Sequence, residues 1–146
     1  MFYIPDFLSY IRVFLNQILL GMPAGIKETL YTPAVKVIND EHRIIISGQS
    51  RLEDPSHFYE QLSSLLDESL NDFKTHACID FTLNYLNSSS SKWLFHILKG
   101  IQTKFQGKKI VTVNWFYSND DESMLEAGEV FQSLLSLPFN LVETDH

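Results

Sequence analysis

The chain has 146 residues, 45% of them apolar and 13% aromatic, with a formal net charge of −7. That length suits one domain around one core, and hydrophobicity this high excludes a disordered chain. The negative charge disfavours phosphate backbones and anionic membranes, so no nucleic-acid partner is expected. Cys78 is the only cysteine, which excludes an internal disulfide and accords with a reducing, cytoplasmic setting.

Residues 1–21 (MFYIPDFLSYIRVFLNQILLG) are rich in aromatic and aliphatic side chains. Asp6, Arg12, Asn16 and Gln17 interrupt them, so they fit neither a signal peptide nor a membrane span, and no stable membrane insertion is expected. Two readings stand side by side. The segment is a short amphipathic helix with Phe7, Ile11, Phe14, Leu15 and Ile18 on one face, or it is an extension ahead of a true start at Met22. A single domain over 22–146 follows in both.

Within that domain, residues 35–39 and 42–49 read as two strands joined at Asn39-Asp40-Glu41, a hairpin signal. Asp54 is placed as the N-cap of a first helix, with Pro55 at its first position. Phe58, Leu62, Leu65, Leu66, Leu70 and Phe73 follow at helical spacing. Residues 77–86 alternate, Ala77, Ile79, Phe81, Leu83 and Tyr85 pointing one way and Cys78, Asp80, Thr82 and Asn84 the other. A second helix is expected over 88–106, ended by Gly107. Its stripe is Leu94, Ile97, Leu98, Ile101 and Phe105. Residues 109–117 form a further strand. A third helix starts near Asn119, with Asn119 and Glu122 as a capping-box variant and Met124, Ala127, Gly128, Phe131 and Leu135 facing inward. Residues 139–143 close the chain as a short strand.

The order β-β-α-β-α-β-α-β predicts an α/β two-layer domain. Right-handed crossovers place its three main helices on one face of a mixed five-stranded sheet. The other face carries Asp80, Thr82, Asn84, Thr112 and Asn114 and is expected to be partly open. Such a face is more often simply solvated than a docking surface.

Enzymatic chemistry finds little in the pattern. Cys78 has only His76 near it in sequence and reads as a half-buried strand cysteine. The histidines 42, 57, 76, 96 and 146 show no metal-ligand spacing, and the six glycines form no phosphate loop. Asp120-Asp121-Glu122 is better used at a helix start, where carboxylates favour the dipole, than as a metal cluster. No metal and no cofactor are expected. The tract Asn87-Ser88-Ser89-Ser90-Ser91-Lys92 is more informative, because it lies at a strand-to-helix junction. One cap needs one serine, and four are present. A helix start also suits an anion, including a phosphate carried by one of these serines, although capping alone remains the commoner role.

Here the residues resemble a known family. Tyr85-Leu86-Asn87-Ser88-Ser89-Ser90-Ser91-Lys92 is similar to the YLNTSS-type junction of the SiaC family of bacterial regulatory phosphoproteins. Leu30-Tyr31-Thr32-Pro33-Ala34-Val35, Gly48-Gln49-Ser50 through Glu53-Asp54-Pro55, Trp115-Phe116-Tyr117 with Asp120 to Gly128, and Leu137-Pro138-Phe139 match further family motifs in order, over residues 30–143. The chain departs from the family at Arg51-Leu52, where Tyr-Pro is usual, and in carrying serine where the described acceptor is threonine. The resemblance implies a STAS-like fold and a non-enzymatic switch in signal transduction. A Ser/Thr protein kinase would phosphorylate Ser88, with Ser89 the next candidate. A PP2C-like phosphatase would reverse it, and the unmodified form would bind a diguanylate cyclase or a similar effector, the setting of cyclic di-GMP and biofilm control. Asn84, Asn87 and Ser90 would line the partner surface. A STAS-like interaction domain that is never phosphorylated is the alternative, and a small-molecule enzyme comes third.

Overall fold

The computed structural model describes residues 25–145, together with Leu8 and Ile11, both helical. The remaining positions of the expected N-terminal apolar face, and the alternative start at Met22, lie outside the described residues. Six strands form one sheet in sequential order: β1 (Gly25–Ile26), β2 (Ala34–Ile38), β3 (Arg43–Ser50), β4 (His76–Leu86), β5 (Ile110–Ser118) and β6 (Phe139–Thr144). The first three strands run antiparallel to one another, and β3 to β6 are parallel. Five strands were expected. The sixth, β1, has only two residues, too short for any alternation to register.

The three parallel crossovers carry α1 (Ser56–Asp72), α2 (Ser88–Phe105) and α3 (Glu122–Leu134). Their apolar stripes and one side of the sheet form a single core. It runs from Val35, Val37, Ile44 and Ile46 through Ile79, Phe81, Val113 and Trp115 to Phe139. The predicted alternation in β4 holds for Ala77, Ile79, Phe81 and Leu83, all in this core, whereas Tyr85, expected on the same side, is exposed at the strand's end, past the edge of the core. No described helix is long and apolar enough to cross a membrane.

Local chemistry sets the helix starts. Asp54, expected as the N-cap, stands one position further out, because the helix begins at Ser56 and Pro55 takes the cap position. Asp54 still accepts from the backbone N–H and the hydroxyl of Ser56, and these bonds hold its carboxyl below the usual carboxylate range. Pro55 sits one position earlier than expected, just outside the helix. At α3 the predicted Asn119–Glu122 capping box is replaced by Asp121, whose carboxylate accepts from the N–H of Met124. The helix begins three residues later than the sequence suggested, because β5 runs on to Ser118 and a tight turn follows.

The opposite sheet face carries one polar ladder. Arg43 pairs with Asp80, Asn114 donates to Asp80 at 2.9 Å, and Asn140 donates to Asn114 at 3.0 Å. Asp80 is therefore only 7% exposed despite facing outward. The hydrogen bond and charge of Asp80 push the Arg43 pKa up. This ladder spans β3 to β6, Arg43 also pairing with Glu41 in the turn before β3, and has the character of a structural brace. Cys78 is half-buried beside it, as expected.

Candidate functional site

The parallel strands end together at the tops of β3 and β4, and the polar serine tract begins there. A bulge between Gly48 and Gln49 shifts the register, so that Gln49 faces Tyr85 and Ser50 faces Leu86. Gly48 has a φ of +108°, and a Cβ there would lie 2.4 Å from the carboxylate of Glu28. Glycine thus serves both the backbone conformation and the close approach.

Asn87 follows β4 in extended conformation and caps α2. Its side-chain oxygen accepts from the N–H of Ser90 at 2.9 Å, and its side-chain amide donates to the carbonyl of Leu52 at 2.9 Å. Its own N–H donates to the carbonyl of Ser50. One asparagine therefore ties the β3 exit to the first turn of α2.

The four serines separate by depth. Ser88, the first helical residue, and Ser89 are exposed, while Ser91 is half-buried. Ser90 was expected on the partner surface, but it is fully buried. Its hydroxyl accepts from Ser50 Oγ at 2.7 Å, and Ser50 Oγ also lies 2.9 Å from the hydroxyl of Tyr59 on α1. Ser90 supports the surface from beneath and cannot contact a partner directly. Burial of Tyr59 pushes its phenol pKa up, and the bonds to Ser50 and Ser90 only partly offset this.

A concavity of about 420 Å³ opens beside Ser88, lined by Asn84, Tyr85, Asn87, Asp121, Ser123 and Met124. Asn84 and Asn87 thus lie with Ser88 as expected, whereas Asp80 belongs to the ladder. The starts of α2 and α3 both reach this hollow, one bringing a hydroxyl and the other the Asp121 carboxylate. A larger hollow of about 530 Å³ lies between α1 and α2, where the one lysine of its lining, Lys104, is paired with Asp67 and Glu60 is the further charge. Among the described residues, no three His, Cys, Asp or Glu side chains gather to hold a metal.

Sequence reasoning missed the rim of the Ser88 site. Arg51 lays its guanidinium over the ring of Tyr85, 4.0 Å from the centroid, and its Nε donates to Gln49 at 2.6 Å. Gln49 in turn donates to the carbonyl of Leu30, and the N–H of Arg51 to that of Tyr31. Leu30, Tyr31 and Tyr85, at 75%, 57% and 42% exposure, are three of the large apolar side chains left in solvent. Only the unusual Arg51 in an otherwise matching motif could have signalled this cluster.

Known proteins share the fold that carries this site. A curated relative, an uncharacterized protein of Pseudomonas aeruginosa (strain UCBPP-PA14), is 29% identical over 117 residues, covering 80% of this chain and 93% of that protein. The structure of SiaC of Pseudomonas aeruginosa superposes with a TM-score of 0.73 at 27% identity, covering 84% of this chain and 98% of that one. A second structure, of the diguanylate cyclase SiaD in complex with its activator SiaC from the same organism, matches with a TM-score of 0.74 at 28% identity, covering 83% and 99%. The family model for the SiaC family regulatory phosphoprotein matches residues 26–144, from β1 to the last residue of β6, so the serine junction and its rim fall wholly within it and the chain belongs to the SiaC family.

Proposed function

We propose that this protein is a non-enzymatic, cytoplasmic partner switch, set by reversible phosphorylation of Ser88. The observation that carries the reading is the presentation of Ser88. It is exposed at the first position of a capped helix, while its neighbour Ser90 is locked into the core. A kinase can reach Ser88 and, as the next candidate, Ser89. A phosphate at this position adds about −1.5 to −2 charges near the positive end of the α2 dipole, so the fold tolerates it. The same charge is costly in an interface, where it must be desolvated or set against carboxylates. The relative's complex with a diguanylate cyclase makes a cyclase of that kind the first effector to test, with a Ser/Thr kinase and a PP2C-like phosphatase as the opposing enzymes.

The test is a pull-down of candidate effector with wild type, Ser88→Ala and Ser88→Asp, alongside kinase treatment. Wild type and Ser88→Ala should capture the effector, and Ser88→Asp should lose it while melting within a few degrees of wild type. Stoichiometric phosphorylation of Ser88→Ala would move the acceptor to Ser89. Effector capture by all three proteins, with no phosphate incorporated, would leave a constitutive interaction domain.

A further inference from the structure

We propose that Arg51 is the intrachain receptor for a phosphate on Ser88, and that it leaves the ring of Tyr85 to bind it. The inference rests on the phosphoserine reading above and concerns what the phosphate does once it is there.

Three observations converge on Arg51. Its Nε is engaged by Gln49 and its planar face by Tyr85, yet among the described residues its two terminal nitrogens make no hydrogen bond or ion pair. The other arginine of the described domain, Arg43, is already committed to Asp80 and Glu41. In a chain of net charge −7, an unpaired guanidinium fork is a directed feature, and such a fork matches phosphate bidentately.

The second observation is position. Asn87, the residue before Ser88, bonds the carbonyls of Ser50 and Leu52 on either side of Arg51. Tyr85, on which Arg51 rests, lines the same concavity as Ser88. Arg51 and Ser88 therefore leave adjoining points of one hydrogen-bonded strap.

The third is the direction of the field. The far wall of the concavity carries Asp121, which repels a dianion on Ser88. Lys92, one turn along α2, is exposed and offers a point charge. Of Lys92 and Arg51, only Arg51 can meet the phosphate with a preorganised fork. An exposed cation–π contact is weaker than a charge-assisted hydrogen bond to an ionised group, so the exchange favours phosphate. When Arg51 moves, Tyr85 loses its cover, and the rim of Leu30, Tyr31 and Tyr85 is altered along with the new charge.

The experiment builds phosphoserine into position 88 of the full chain during translation and follows its second ionisation by phosphorus NMR at low ionic strength. The Arg51→Ala chain should titrate about 0.5 pH unit or more above the Arg51 chain, and Arg51→Lys should fall between them. Phosphorylation should also shift the Tyr85 ring resonances in the Arg51 chain and barely move them in Arg51→Ala. Equal titration of the Arg51 and Arg51→Ala chains would overturn the proposal. So would a shift produced by Lys92→Ala and not by Arg51→Ala. Because the phosphate is installed without a kinase, failure here is separate from failure of the kinase reading. Arg51 is exposed, and a thermal melt of each variant checks that the fold is retained.

Discussion

The three hydroxyls beneath the serine tract form a closed set whose energetics can be worked out in advance. Ser50 Oγ bonds both Ser90 Oγ and the Tyr59 hydroxyl, and Tyr59 also faces Ser90. Ser50 and Ser90 are fully buried and Tyr59 nearly so. Removing any one hydroxyl leaves the other two able to bond each other. Each of Ser50→Ala, Tyr59→Phe and Ser90→Ala should therefore cost about 1 kcal/mol, the net worth of a typical hydrogen bond. Removing two strands the third in the core without a partner, which adds a desolvation penalty of about 1–3 kcal/mol. The Ser50→Ala/Tyr59→Phe double variant should thus lose about 3–5 kcal/mol, more than the sum of its parts. Converting the last hydroxyl as well removes the stranded group, so the triple variant should recover about 1–2 kcal/mol relative to the double. Urea unfolding followed by circular dichroism measures each free energy, and 1 kcal/mol corresponds to a melting shift of roughly 2–8 °C for a domain of this size. Strict additivity across the cycle, or a triple variant less stable than the double, would refute the idea of a mutually satisfied set.

Tyr59 also predicts a pH dependence. Its folded pKa lies above the ordinary phenol value of 10.0, so the unfolded chain releases its proton first and stability falls as pH rises beyond about 10; urea midpoints between pH 9 and 11 should drop less steeply in Tyr59→Phe. Gly128→Ala should destabilise by about 1–3 kcal/mol, because the new Cβ would lie 2.5 Å from the Trp115 ring and 2.7 Å from Leu141. A normal thermal melt of that variant would mean that α3 can slide away from β5 and β6. Removal of residues 1–21 should leave the melt within about 1 kcal/mol of the full chain, since the family match begins only at residue 26. A loss of several kcal/mol on the same measurement would instead give the aromatic segment a share of the core.

What the sequence made legible follows from the range of the interactions involved. Alternation in residues 77–86 and helical spacing in residues 58–73 and 94–105 are local, repeated signals, and they placed β4, α1 and α2 within a residue or two. The two-residue β1 offers no period, and the start of α3 turned on which of several adjacent acidic or amide side chains makes the cap. Asn119, Asp120 and Asp121 are equally good caps in composition. The length of β5 decides among them, since its pairing with β6 continues to Ser118–Thr144.

The serine tract shows the same limit at the site itself. Ser88, Ser89, Ser90 and Ser91 are chemically identical, and no local rule says which of them is exposed. The choice is made by Ser50, forty positions away, and by Tyr59, because their hydroxyls need a partner inside the core and only one serine of the first turn reaches them. Once Ser90 is taken inward, the 100° step between successive helical residues turns Ser88 and Ser89 outward, and Asn87 is left to cap. The exposure of Ser88 is thus set by a buried polar contact on the far side of the turn. The interaction that presents Ser88 is distinct from any that would read its phosphate. Arg51, exposed and outside the core, belongs to the second group, which is why changing it should alter the response to phosphate and leave the presentation of Ser88 intact.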